Sequence, residues 1–409
     1  MRFIEDLRIL DRDQRATFLA ALAGWTLDAF DYFLMAFAIN PIAGEFHVPE
    51  VEVLLAMTLT LMFRPVGALV FGSLADHFGR RPILMINILF FSFFALASAF
   101  APSLAVLLVL RSLFGIAMGG EWGIGSSLVM ESIPASSRGT VSGILQQGYP
   151  LGYLLASLAY GLFFSAWGWR GLFLLGVIPA LLVVYIRLGV KESPVWREHR
   201  AAGGKSDLGQ ALLRHWKLFG YVILLMTAFN WFSHGTQDVY PTFLKTQHKL
   251  APATVSVIAI TANIGAIIGG MTFGAWSQRI GRRRAIIIAV LMALPVIPLW
   301  AFAATPFWLA AGAFLLQIAV QGAWGVIPAH LNELSPKEIR ATFPGLTYQF
   351  GNFLAASCAT VQGEIAHTHG GNYGWAMATV TALAAIMILV VTALGPEARD
   401  VAFSHDARE

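Results

Sequence analysis

"GSLADHFGRR", Gly72 to Arg81, separates two apolar runs, and "GAWSQRIGRRR", Gly274 to Arg284, separates two others at an offset of 202. Gly72, Gly79, Arg80 and Arg81 in the first stretch match Gly274, Gly281, Arg282 and Arg283 in the second. A glycine suits a tight turn between helices. Arginines beside it can bond helix C-terminal carbonyls and nearby carboxylates. The same offset pairs Trp122 with Trp324, Glu131 with Glu333, Pro134 with Pro336, Arg138 with Arg340, and Gly143 with Gly345. A single offset that keeps this many residues marks a duplication.

Outward from these stretches, the composition sets the class. The chain has 409 residues, 57% hydrophobic and 12% charged, where a soluble domain carries about 25% charged. Its mean hydropathy is +0.68. Runs of about 20 apolar residues, the length of a membrane helix, recur throughout. They predict an all-α membrane protein with helices near 17–39, 52–74, 83–101, 104–130, 139–165, 170–189, 217–245, 252–276, 284–304, 306–330, 341–363 and 373–394. The duplication divides these into an N-terminal six-helix bundle (1–189), a polar linker (190–216) and a C-terminal six-helix bundle (217–409). Two pseudo-symmetric halves are the plan of transporters that bind substrate near the midplane.

Lys and Arg set the orientation. They crowd the N-terminal tail, the two glycine–arginine turns, the linker with Lys205, and the C-terminal stretch with Arg399 and Arg408. Only Arg170, Lys245 and Lys249 fall on the other side, with Arg64 and Arg111 inside helices. Both termini are expected in the cytoplasm, in a multi-pass inner-membrane protein. The net charge of +4 and the pI near 9.3 then reflect orientation, not nucleic-acid binding. The one cysteine, Cys358, excludes an internal disulfide framework, and "MRFIEDLRILDRDQR" has no signal-peptide pattern.

Ionisable residues at membrane depth cost about 2.5–3.5 kcal/mol each and so point to function. Asp28 and Asp31 lie three apart on one face of the first helix. Arg64 and Arg111 stay charged and can grip a carboxylate bidentately. Arg64 is the first choice for a substrate carboxylate, or a partner of Asp28 or Asp31. Arg111 and Glu121 are either an ion pair or part of charge balance and proton coupling. Gly115, Gly119 and Gly123 recur every four residues and read as helix packing.

The C-terminal half opens with "NWFSHGTQDVYPT", Asn230 to Thr242. Asn230, Ser233, His234, Gln237 and Asp238 share one stripe of a helix. His234 and Asp238 are four apart and can hydrogen-bond, and Pro241 permits a bend. By the duplication Asn230 corresponds to Asp28, and Ser233 to Asp31. "GGKS", Gly203 to Ser206, lacks the first glycine of a phosphate loop, and "HTHGGN", His367 to Asn372, reads as a solvated external loop. No nucleophile–base pair, metal cluster or cofactor motif emerges, so no enzyme and no cofactor are expected.

The first glycine–arginine stretch resembles the signature between helices 2 and 3 of the major facilitator superfamily, and the duplication and helix count extend that resemblance to the whole chain. It implies a cytoplasmic gate of Asp76, Arg80, Arg81, Glu131 and Arg138 with Arg282, Arg283, Glu333 and Arg340. Glu131 would pair with Arg138, and Glu333 with Arg340. Gln278 replaces the acid in the second copy, which leaves the acid latch to Asp76. Asn230, Ser233, His234, Thr236, Gln237, Asp238 and Thr242 fill the pattern N-x-x-[ST]-H-x-[ST]-Q-D-x-x-x-T. This resembles the signature of the Jen-type lactate and pyruvate permeases in the sialate:proton symporter family. The resemblance implies symport of a small monocarboxylate with a proton. Arg64, Arg111, Asn230, His234 and Gln237 would bind substrate, and Asp28, Asp31, Glu121 and Asp238 would carry the proton. The partners implied are a small organic anion, a proton and the lipid bilayer, and the carrier is expected to be a monomer. Sialate or another organic anion (a dicarboxylate or a shikimate-like acid) is the alternative, and a non-transporting anion sensor the alternative of another class.

Overall fold

The computed structural model describes residues 2–204, 207–399 and 401–403; Lys205, Ser206 and Arg408 lie outside them. Twelve helical crossings follow one another. In the first half they are α1 (Arg12–Phe46), α2 (Glu50–Phe78), α3 (Arg80–Ser98), α4 (Leu104–Ser132), α5 (138–167) and α6 (169–189). In the second they are α7 (Trp216–Gln237 and Tyr240–Thr246), α8 (Pro252–Ile280), α9 (Arg282–Phe302), α10 (Pro306–Trp324 and Ile327–Leu334), α11 (Thr342–Ala355 and Cys358–Thr368) and α12 (Tyr373–Leu394). Local chemistry sets many ends. Asp11 and Gln14 form a reciprocal capping box at α1, and Ser103 and Asn372 cap α4 and α12.

Length and apolarity alone pick out nine spans, or ten when Leu208–Arg214 and Trp216–Thr246, bent by 85°, are taken together. Two physical features account for the difference from twelve. Ala135–Gly189 counts as one helix of 55 residues, about 80 Å at 1.5 Å per residue, far beyond a core of about 30 Å. Gly168, at φ 61°, breaks it into α5 and α6. α11 is broken into pieces of 14 and 11 residues, and Thr347, Gln349, Asn352 and Gln362 make its buried side polar. The α7 break also differs from a simple proline kink. The helix ends at Gln237, and Pro241 starts the next piece in its first turn, where its missing N–H costs nothing. The polar linker holds two short helices, Pro194–Ala201 and Leu208–Arg214.

Helix packing repeats with the sequence offset. A Cβ on Gly67 would lie 1.6 Å from the Ile116 carbonyl, and one on Gly269 would lie 2.2 Å from that of Ile318. Gly115 and Gly119 likewise meet the backbone of Thr60 and Arg64, as the packing reading of α4 expects, but Gly123 meets Gly345 of the other half. These contacts let α2 cross α4, and α8 cross α10, at backbone distance.

Both chain ends lie on one face, here the terminal face. Thr140 donates to Asp6 of the N-terminal helix at 2.6 Å, and Arg138 donates to the Val401 carbonyl at 2.6 Å. On this face the halves are locked. Asp76 accepts from the N–H groups of Ala341 and Thr342, 2.9 Å each, and from the Thr342 hydroxyl at 2.6 Å. Gln278, its equivalent, accepts from the N–H of Gly139, the equivalent of Ala341, at 3.0 Å. A second latch therefore exists with an amide in place of the acid. Ser142 donates to the Gly325 carbonyl, Ser127 to the Arg340 carbonyl, and Asn332 to Ser126. Among the described residues, these bonds between the halves all lie on the terminal side.

The acid–arginine pairs differ from the expected ones. Arg80 makes a bidentate pair with Glu131 (3.0 and 3.1 Å) and lies 3.1 Å from Asp76. Arg282 does the same with Glu333 (both bonds 2.9 Å). Glu131 therefore pairs with Arg80 instead of Arg138, and Glu333 with Arg282 instead of Arg340. The guanidinium at the start of α3 or α9 meets the carboxylate at the end of α4 or α10 with two N–H···O bonds, the strong bidentate geometry. Arg138 instead reaches across the halves to 3.9 Å from Glu333. Arg81 and Arg283 bond carbonyls at the ends of α6 and α12, Arg187 and Ala393. Glu192 accepts from the N–H groups of Arg80 and Arg81, and Glu397 from those of Arg282 and Arg283. Each acid thus caps the start of α3 or α9. Burial pushes the Glu192 carboxyl up from its ordinary value, against these N–H bonds.

Candidate functional site

A cavity of about 270 Å³ opens between the halves. Its second-half wall comes from the far end of α7 (Thr236, Gln237, Asp238, Tyr240, Pro241), the start of α8 (Asn263) and the outer part of α10 (Gln317, Gln321). The first half adds Phe33 from α1, with Tyr149 and Tyr153 from α5. α7 runs away from the terminal face and α8 starts at the opposite one, so the cavity belongs to the side opposite the latches. The molecule is closed on the terminal face and open on the other.

The two walls differ chemically. Phe33 packs edge-on to Tyr149 and Tyr153, with centroids 5.1 and 4.9 Å apart, and Tyr149 stacks on Trp25 at 5.9 Å. The facing wall is rich in amides. Gln237 donates to Gln317 at 3.3 Å, and Gln317 to Thr236 at 3.2 Å. The His234 ring lies between Asp238 (3.1 Å) on its own helix and Asn352 Oδ1 of α11 (3.1 Å). Both ring nitrogens thus face oxygens. An imidazolium satisfies both, and a neutral ring does so only with the Asn352 amide turned. His234 and Asp238 side chains are 28% and 38% exposed, and Asp238 lines the cavity. Asn230 is buried and donates back to the Met226 carbonyl at 2.8 Å.

Arg64 and Arg111 are placed elsewhere. Arg64 is 3% exposed and its Nη2 lies 3.9 Å from Asp28. Arg111 is fully buried between the rings of Phe114 (4.8 Å) and Phe173 (4.4 Å). It makes no ion pair with Glu121. Asp28, Asp31 and Glu121 are buried, and neither oxygen of any of the three has a hydrogen-bond partner among the described residues. A Cβ on Gly24 would lie 2.5 Å from Glu121 Oε1, so the Glu121 carboxylate fills the space beside α1. These five groups form one buried set inside the first half, with three acids against two arginines. None of the five lines the cavity.

Gln317, Gln321, Asn263, Phe33, Tyr149 and Tyr153 are wall residues that the sequence reading did not single out. Gln317 and Gln321 had a usable signal. They are four apart in an otherwise apolar helix, the spacing of one polar face. The aromatic residues had none, because aromatic residues on α1 and α5 read equally well as core.

Residues 17–237 match the family model described as Major Facilitator Superfamily, and residues 210–399 the one described as Sugar (and other) transporter. A carboxylic acid transporter protein homolog of Saccharomyces cerevisiae is 30% identical over 389 residues. The match covers 89% of this chain and 63% of the yeast protein, so the chain spans less than two thirds of that relative. The sialic acid transporter NanX of Escherichia coli is 26% identical over 383 residues, covering 92% of this chain and 93% of NanX. Among solved structures, the proton:xylose symporter XylE superposes with a TM-score of 0.78 at 19% identity, covering 95% and 97% of the two chains. With a family model matched over more than half its length and the two-bundle fold shared throughout, the chain belongs to the Major Facilitator Superfamily.

Proposed function

We propose that this protein is a proton-coupled symporter of an organic anion, working by alternating access in the cytoplasmic membrane with its terminal face in the cytoplasm. A small monocarboxylate, lactate or pyruvate, is the first substrate class. Residues 1–189 and 217–409 are the two moving bodies. The observation that carries the coupling is the buried set in the first half. Three acids against two arginines leave one carboxylate surplus at low dielectric, and a buried surplus charge is costly enough to take up a proton instead. Asp28, Asp31 and Glu121 share that proton. Asp238 lines the cavity with His234 bonded to it, and the pair passes the proton in with the substrate. Gln237 and the imidazolium of His234 bind the carboxylate and its neighbouring oxygen, with Asn230 fixing the turn of α7 beneath them. Arg64 and Arg111 hold the field that draws the anion inward.

Anion and proton then move as a neutral unit, and loading removes the unpaired charge that opposes closure of the cavity. Asp76, Arg80, Arg81, Glu131 and Arg138, with Arg282, Arg283, Glu333 and Arg340, form the gate on the terminal face. A larger organic acid, such as a sialate, is the second reading. It is favoured by the cavity, which equals roughly nine water volumes at about 30 Å³ each, more room than a three-carbon acid needs.

The test is uptake of labelled lactate, pyruvate and sialate into proteoliposomes with inside pH above outside, with and without a protonophore. The reading requires uptake of at least one acid that collapses when the gradient is removed. Folded protein that takes up none of them overturns it.

A further inference from the structure

The stretch that follows α12 crosses from one half to the other. Glu397 accepts from the N–H groups of Arg282 and Arg283, and Arg399 donates to the Arg279 carbonyl at 2.7 Å. These bonds fix residues 397–399 to the second half. Two residues later the Val401 carbonyl accepts from Arg138 of the first half at 2.6 Å. Phe403 then enters between two guanidinium groups, 3.6 Å from Arg138 and 4.0 Å from Arg340. Arg138 and Arg340 are equivalent positions of the duplication, so the ring sits on the seam between the halves.

Phe403 is 7% exposed and belongs to one apolar cluster with Leu10, Val195 and Ala329. The N-terminal region, the linker helix, the second half and the tail all meet there. Neither Nε nor Nη1 of Arg340 has a hydrogen-bond partner among the described residues, and the Phe403 ring covers that guanidinium. A cation over an aromatic face is attracted by the ring quadrupole, more strongly when water is excluded.

We infer that the C-terminal tail is a clamp on the closed face, with Phe403 as its wedge. The tail between its two anchors is too short to follow both. Each residue spans at most about 3.5 Å, so the two steps from Arg399 to Val401 reach about 7 Å, and a wider parting of the two anchors breaks one of the contacts. Opening of the terminal face therefore requires Phe403 to leave its arginines. The clamp biases the carrier toward the state closed on this face and slows its return. It rests on the alternating-access reading for its consequence in transport, but its position and its effect on the halves can be read without transport.

The test uses the full chain in lipid nanodiscs, in a Cys358→Ala background. Nitroxides at Phe78→Cys and Arg284→Cys, exposed positions at the two equivalent turns, report the separation of the halves. Phe403→Ala, and a chain ending at Arg399, should lower the ratio of short to long distances by roughly 10-fold. Phe403→Trp should keep the parent distribution. Identical distributions in the parent, Phe403→Ala and the truncated chain overturn the clamp.

Should the variants not elute as single species, a nitroxide at Val401→Cys in the otherwise intact chain gives the answer. An immobilised spectrum is expected, and free tumbling overturns the proposal. Shifted distances in a protein that moves no anion leave the clamp standing and remove the transport reading. Gradient-driven uptake with unshifted distances does the reverse.

Discussion

His234 is held from two sides by oxygens, Asp238 at 3.1 Å and Asn352 at 3.1 Å. In the proposed mechanism a group so placed passes a proton between Asp238 and the protein interior. His234→Ala should lower the initial rate of proton-driven uptake by at least about 100-fold, because both the donor and its geometry are lost. Elution as a single folded species must accompany that loss. Glu121→Gln probes the other end of the path. It removes the surplus acid without changing size, so anion exchange between preloaded vesicles should continue while accumulation against a gradient disappears. Loss of both activities, or of neither, contradicts a role in coupling. The spacing of His234 and Asp238 was legible in the sequence because both partners lie one helical turn apart. The Arg80–Glu131 and Arg282–Glu333 pairs were not, since each joins two different helices and several acids compete. The burial of Arg111 between Phe114 and Phe173 was hidden for the same reason.

At the scale of elements, the glycine crossings and the paired latches govern behaviour. Gly67→Ala puts a methyl into the Ile116 backbone, where nothing flexible can yield. The expected cost is about 1–3 kcal/mol or more, seen as a fall of several degrees in the thermal midpoint of the detergent-solubilised protein. Gly269→Ala should behave alike, whereas Gly161→Ala, with open space around it, should not. The latches should rank by chemistry. Asp76→Ala removes three bonds to a buried carboxylate, each worth about 1.5–3 kcal/mol and not additive. Gln278→Ala removes a single neutral bond between the halves, from the Gly139 N–H, worth about 1 kcal/mol, together with a bond from Arg282 of its own half at 2.9 Å. A thiol at Ser126→Cys, buried at the seam, should react much faster in the first variant than in the second. Equal rates would contradict the ranking. The helices themselves were legible from their apolar runs and turn residues. The amide latch was not, because the missing acid at Gln278 reads as a lost function until Gly139 is seen opposite it.

For the whole molecule, the offset of 202 forecast two like halves, and the structure repeats it in helix crossings, capping acids and latches. What the offset could not forecast is where symmetry fails. The set of Asp28, Asp31, Glu121, Arg64 and Arg111 stands in the first half, the His234–Asp238 pair in the second, and the tail crosses from second to first. Coupling requires that asymmetry, since a proton site and an anion site must differ if each is to respond to the other. The most direct test of the central claim is the proton itself. A pH-sensitive dye sealed inside weakly buffered proteoliposomes should report acidification when lactate, pyruvate or sialate is added outside, beyond that of protein-free vesicles, and Glu121→Gln should abolish it. Accumulation of a labelled anion with no internal acidification would contradict the account.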